Sequence, residues 1–363
     1  MKILHLTGAR LTKRSGITGV LANLPSEQNK IAGVESRVFV VNNFCEDKTI
    51  KIIEEVSLDE LEEKLNGYKP DIVIIHDFYV PYYHKVSHIL RKNKYPYLLE
   101  PHGAFGRTAM KKSRIKKFVA NNTLFRKTIK KASGFVFTTK RESEDSVYRN
   151  KNEIMIENGV KKEIITNSLN FEKKNFDNPV FYFMGRFRIF HKGIDILFDA
   201  LDIIDSQNIS INFNVYGTST DQEIEYVNGR VAALKNINIK NCGPVYGDTR
   251  DIELNNCNIL VLTSRYEGSP LAVLDAFSYG NAVVATPGTN VSKEIVDNNL
   301  GWETELDPKA IAETILKALD DYKKHGKEYT SRTLNYVLEN YTWEKIAERS
   351  VIEYEKILNN GEK

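Results

Sequence analysis

Short apolar runs alternate with amphipathic stretches along most of the chain. Residues 3–6, 38–41, 72–75, 97–100, 135–138 and 154–157 are rich in Ile, Val, Leu, Phe and Tyr and have the length of strands. Residues 19–31, 82–93 and 115–131 lie between them and carry apolar positions at helical spacing. Strands apolar on both faces and separated by helices predict a parallel sheet covered on both sides. The turn Glu157-Asn-Gly-Val160 closes this half, and the polar stretch 161–179 reads as a linker. A second alternating set runs through 180–184, 211–216, 237–241, 259–263 and 282–286, and after Pro308 the pattern is mostly helical. The expectation is α/β: two Rossmann-like doubly wound domains, at 1–165 and 178–340, facing each other across a cleft. Open sheets of this kind bind ligands outside the carboxyl ends of their strands.

Length and composition agree with that picture. A chain of 363 residues suits two cores better than one. Three cysteines, Cys45, Cys242 and Cys257, are too scattered for a disulfide framework or a zinc motif, so a cytoplasmic protein is expected. The opening apolar run is too short for a signal peptide, and no later run approaches the ~18 residues of a membrane span.

Charge adds one feature. The net charge is only +3, yet residues 101–141 contain twelve Lys or Arg, from Arg107 to Arg141, and no Asp or Glu. A solvated helix face is the plain reading of such a block. Ile115, Phe118, Val119, Leu124 and Phe125 interleave with it, however, which suggests an amphipathic surface for anionic lipid. No recognition motif accompanies the charge, so nucleic acid is not expected as a partner. The implied location is the inner face of the plasma membrane.

The candidate chemistry lies at strand ends. Met184-Gly-Arg-Phe-Arg-Ile-Phe-His-Lys-Gly193 leaves the first strand of the second domain. Gly185 allows close approach of the backbone to a ligand, and Arg186 and Lys192 suit a diphosphate. The alternative is a basic surface loop with Gly193 opening a helix. After the run 259–263 comes Ser264-Arg-Tyr-Glu-Gly-Ser-Pro-Leu271, with Glu267 and Asp275 eight positions apart around a helix start at Pro270. Gly268 and Ser269 would present backbone N–H groups to a phosphate, Pro270 fits the first helical position before Leu271, and the carboxylates grip hydroxyls. The alternative here is that Ser269 caps the helix and Asp275 faces water. In the first domain Gly16 and Gly19 follow the first strand, and His76-Asp77 and His102-Gly103 each follow a later one.

Taken together, these residues resemble the retaining GT-B glycosyltransferases of glycosyltransferase family 4. The likeness runs through Gly16–Gly19, Pro101-His-Gly103, Glu157-Asn-Gly159, Gly185-Arg186 with Lys192-Gly193, Glu267 with Asp275, and Tyr341-Thr-Trp-Glu-Lys345. It implies that the first domain binds the acceptor, with Gly19, His76 and Asp77 on that side, and that the second binds a nucleotide-sugar. Residues 341–363 would form a helix that crosses back to the first domain. By the same likeness Arg186 and Lys192 hold the diphosphate, and Glu267 takes donor-sugar hydroxyls. Asp275 takes the ribose, His102 sits by the reacting sugar, and Gly16 passes near the donor phosphates. Cationic side chains replace a metal ion, so neither metal nor cofactor is implied. The family's second acidic residue is usually Glu; Asp275 is one methylene shorter. The expected activity is retaining transfer of a hexose-type sugar from a UDP- or GDP-sugar to a glycan, lipid-linked acceptor in surface polysaccharide synthesis. A non-catalytic GT-B partner of another transferase and a sugar-nucleotide epimerase are the alternatives.

Overall fold

The computed structural model describes residues 1–12, 15–111, 114–168, 174–267 and 271–361. They form two compact units, Met1–Gly159 with Tyr341–Lys363, and Val160–Asn340.

The first unit is built on a seven-stranded sheet of β1 (Lys2–Thr7), β2 (Glu35–Val41), β3 (Ile53–Val56), β4 (Ile72–His76), β5 (Tyr97–Glu100), β6 (Gly134–Phe137) and β7 (Glu153–Met155). Its order is β3-β2-β1-β4-β5-β6-β7, and every pairing is parallel. Both faces of the strands are buried. Leu4, Leu6, Val73, Ile75, Leu99 and Phe135 pack into one cluster, whereas Ile3, Ile72, Ile74, Leu98 and Val136 pack into another. This two-sided burial explains why the strands read as unbroken apolar runs. The last helix, Trp343–Gly361, covers the second face through Trp343, Ile346, Ala347, Val351 and Tyr354 and lies against the helix Gly16–Gln28.

The second unit carries β8 (Val180–Met184), β9 (Asn212–Tyr216), β10 (Asn238–Gly243), β11 (Ile259–Leu262), β12 (Ala282–Ala285) and β13 (Gly301–Glu303). Their order is β10-β9-β8-β11-β12-β13, again all parallel. In each sheet the order reverses beside the first strand, between β1 and β4 and between β8 and β11. Such switch points open a crevice outside the strand ends.

Three features of the pattern resolve differently from the sequence reading. The stretch 161–179 is not a plain linker, because Lys162–Ser168 is helical with Ile165 fully buried against the second unit. Residues 115–131 form two helices, Arg114–Asn122 and Arg126–Lys130, rather than one. Phe125, between them, packs in the core against Phe78 and Tyr79 and so is no part of an exposed apolar face.

Lys174 ends that same polar stretch inside the second unit. Its Nζ donates to the Cys257 carbonyl at 2.7 Å and to Asn281 Oδ1 at 2.5 Å. Full burial lowers its pKa from the usual 10.5 to about 7. Between those values the unfolded chain holds a proton that the folded chain lacks. Stability is therefore lowest below pH 7 and rises with pH up to 10.5, by at most about 1.4 kcal/mol per pH unit. Lys174→Met should remove this slope, as read from urea midpoints at neutral and alkaline pH. An unchanged difference between the two midpoints would show that Lys174 folds charged.

Candidate active site

In the second unit, the loops leaving β8 and β11 meet at the switch point. The first passes through Gly185 and Arg186 into the short helix Ile189–Lys192, and the second is residues 263–267. Gly193 joins them. Its φ is +63°, and a Cβ there would lie 2.0 Å from the Thr263 carbonyl oxygen, so only glycine fits. Thr263 Oγ1 donates to the carbonyls of Lys192 and Gly193. Arg265 forks onto Asp195 at 2.8 and 2.7 Å and stacks on Phe190, while His191 bonds the Tyr266 carbonyl at 2.7 Å.

These contacts place Lys192 Nζ 2.5 Å from Glu267 Oε1, which also accepts from Ser264 Oγ at 2.6 Å. Both side chains of the ion pair are shielded, with 18% exposure for Lys192 and 9% for Glu267. The backbone of Glu267 is pinned by Gly288 and Asn290. A fixed carboxylate beside a fixed ammonium can accept from hydroxyls and attract a phosphate at one point. Arg186 is exposed at the same strand end. Asp275 lies in the helix Leu271–Ser278, paired with Arg250 at 2.5 Å, and Leu271 is half-exposed at its start. Gly268, Ser269 and Pro270 lie outside the described residues. Ser264, Asp195, Arg250 and Arg265 escaped the sequence reading, although Ser264 and Arg265 stand in the very segment it singled out.

In the first unit the strand ends bring together groups far apart in sequence. His76, the last residue of β4, lies in register with Glu100, the last of β5. His76 Nδ1 is 3.1 Å from His102 Nε2 and 3.3 Å from Glu100 Oε2. On its other side His76 Nε2 bonds His5 Nδ1 at 2.8 Å, and His5 Nε2 bonds Gln28 Oε1 at 2.9 Å. Burial lowers the pKa of all three histidines, His5 to about 4, and raises Glu100 to about 8, with Glu142 adding to the rise. Asp77, at φ +60°, accepts from Thr7 Oγ1 at 2.9 Å, and burial pushes it up to about 6. Gly16 and Gly19 border open space at the start of the first helix: a Cβ on either would meet nothing within 4 Å. Of the relay His5–His76–His102, only His5 lacked a signal; it sits within an apolar strand and precedes no turn.

Residues 178–321 match the family model described as Glycosyl transferases group 1. A glycosyltransferase from Rickettsia africae superposes over 99% of each chain, with a TM-score of 0.71 at 16% identity. The chain has the GT-B fold, and its second unit carries the likeness to glycosyltransferases. The chain also resembles Anabaena HepE, solved with UDP, over 98% of its own length and 100% of the other, with a TM-score of 0.69 at 16% identity. Among curated proteins it is 28% identical over 297 residues to the N,N'-diacetylbacillosaminyl-diphospho-undecaprenol alpha-1,3-N-acetylgalactosaminyltransferase of Campylobacter jejuni. That match spans 74% of this chain and 72% of its relative. The family match lies within the second unit, where Lys192 and Glu267 are.

Proposed function

We propose that this enzyme transfers a hexose-type sugar, with retention of anomeric configuration, from a UDP- or GDP-sugar to a lipid-linked glycan in surface polysaccharide synthesis. The Lys192–Glu267 pair at the β8–β11 switch point carries the reading. Glu267 accepts from donor-sugar hydroxyls, and the Asp275 segment serves the ribose. Lys192 and Arg186 neutralise the diphosphate as it leaves, the largest electrostatic task of the reaction, without a metal ion at the phosphates. Attack follows on the face from which the diphosphate departs, with no covalent glycosyl-enzyme. The first unit takes the acceptor, with Gly19, His76 and Asp77 on that side, and His102 serves the reacting sugar. Two names support the substrate classes: the Campylobacter relative is named for a diphospho-undecaprenol acceptor, and HepE was solved with UDP.

A screen of UDP- and GDP-hexoses by thermal unfolding should find one donor that raises the midpoint, since a ligand of the folded state stabilises it by mass action. Arg186→Ala should abolish the rise. With that donor and a lipid-diphosphate glycan, NMR of the product should show the donor's anomeric configuration kept. An inverted product would overturn retention. A changed sugar on the nucleotide, formed without acceptor, would make the protein an epimerase.

The cytoplasmic membrane face is part of the same proposal. No described helix is long and apolar enough to cross a membrane. On the helix Arg114–Asn122, however, Ile115, Phe118 and Val119 are exposed at 80%, 67% and 53%, flanked by Arg114 and Lys116, with Leu124 half-exposed beyond it. Apolar side chains ringed by cations suit an anionic lipid surface. Vesicles containing phosphatidylglycerol should sediment the enzyme at low salt and release it at high salt, and Ile115→Glu with Phe118→Glu should abolish sedimentation. Equal sedimentation with neutral vesicles, or none with anionic ones, would remove the membrane from the proposal.

A further inference from the structure

The buried polar chain in the first unit has a direction, and its hydrogen bonds fix it. Ser350 Oγ donates its only proton to the Ala347 carbonyl, so it can only accept from Gln28 Nε2 at 2.9 Å. That sets the Gln28 amide, whose Oε1 then accepts from Ser36 Oγ at 2.8 Å and from His5 Nε2 at 2.9 Å. A neutral His5 with its proton on Nε2 presents a bare Nδ1, so His76 must donate to it from Nε2. His76 Nδ1 therefore carries a lone pair, and the ring is held from behind by His5, Gln28, Ser36 and Ser350.

That lone pair points to where two more ligand atoms converge. His102 Nε2 is 3.1 Å from it, Glu100 Oε2 is 3.3 Å from it, and Glu100 Oε1 is 3.5 Å from His102 Nε2. Three ligands in a tetrahedral zinc site, each at about 2.0–2.2 Å from the ion, stand about 3.3 Å apart. His76 and Glu100 are almost wholly buried, and Glu100 Oε2 has no hydrogen-bond partner among the described residues. If His102 donates to His76, this oxygen is left unsatisfied; if a Glu100 proton does, His102 Nε2 is left with only the long 3.5 Å approach to Glu100 Oε1. A cation satisfies all three atoms at once. His102 supplies the only partly open side, at 22% exposure, which leaves a fourth position for water or a ligand.

We infer that His76 Nδ1, Glu100 and His102 Nε2 form a divalent-cation site, most suited to zinc, at the carboxyl ends of β4 and β5. The ion joins these two strand ends to the loop that follows β5 and holds His102 in its left-handed backbone conformation. The His5–Gln28 hydrogen bonds orient the His76 ring, as the partner of the other ring nitrogen does for metal-bound imidazoles. The site lies in the first unit and the Lys192–Glu267 pair in the second, and the inference stands whether or not the proposed transfer is correct.

The test uses the full chain without an affinity tag, stripped with chelator and dialysed. Titration with Co(II) should give the visible absorption of a four-coordinate site, saturating at one equivalent, and Zn(II) should bleach it. His102→Gln should weaken Co(II) binding at least tenfold while leaving the thermal midpoint of the metal-free protein near that of the wild type. Glu100→Gln, which keeps the shape of the buried side chain, should do the same. His5→Gln should weaken it less, with an altered spectrum. A wild-type protein that binds no Co(II) at equimolar concentrations overturns the inference. So does binding that survives both His102→Gln and Glu100→Gln.

Discussion

Replacing Glu267 with Ala is expected to slow sugar transfer by about a thousandfold at saturating donor, the scale set by removal of one preorganised transition-state contact. The carboxylate is built to act from one place. Lys192 and Ser264 both bond Oε1, and among the described residues Oε2 accepts no hydrogen bond. In the proposed reaction Oε2 is the oxygen that takes the sugar hydroxyls. Glu267→Gln keeps the shape but loses the charge that holds Lys192, so a smaller loss is expected, with weakened donor binding as Lys192 becomes mobile. Initial rates and donor titrations on both variants, beside wild-type unfolding curves, separate the effects. Transfer by Glu267→Ala within tenfold of wild type would remove Glu267 from the site.

The residues that make this argument were legible in the sequence because each follows an apolar run, and such runs become adjacent strands. Lys192 follows β8 and Glu267 follows β11, and the switch point makes these neighbours although 75 residues separate the two side chains. Chain order alone says nothing of that adjacency; the family likeness supplied it. What escaped was built from single polar residues inside apolar elements. His5 lies within β1 and Gln28 at the end of a helix, and neither stands at a turn, where a ligand-facing residue announces itself. The edge strands β3 and β13 escaped for a different reason. Ile53-Glu-Glu-Val56 carries two charges on a solvent-facing edge, and Gly301-Trp-Glu303 is only three residues long. Lys174 was concealed by its neighbours: a lysine in a polar stretch reads as exposed, yet tertiary packing buries it completely.

Gly193→Ala is the second large effect, and it acts through the backbone. At φ +63° any side chain costs about 1 kcal/mol or more, and here the added Cβ would lie 2.0 Å from one backbone atom and 2.9 Å from another, both of Thr263. Neither neighbour can rotate away, as a flexible side chain could. The two strand-end loops must separate, which breaks the bonds from Thr263 Oγ1 to the Lys192 and Gly193 carbonyls. Strain and overpacking together set the expected loss at about 3 kcal/mol or more, read from urea unfolding. The same displacement carries Lys192 away from Glu267, so the variant protein that remains folded should bind donor weakly. Gly16→Ala provides the contrast. Its Cβ meets nothing within 4 Å at the first turn of a helix, so stability should hold or rise slightly. Any loss of transfer in Gly16→Ala would then report a ligand passing close to the backbone at that position. A Gly193→Ala enzyme as stable and as tight for donor as the wild type would show that the two loops are not held together at Thr263, and the geometry assigned to the Lys192–Glu267 pair would fall with it.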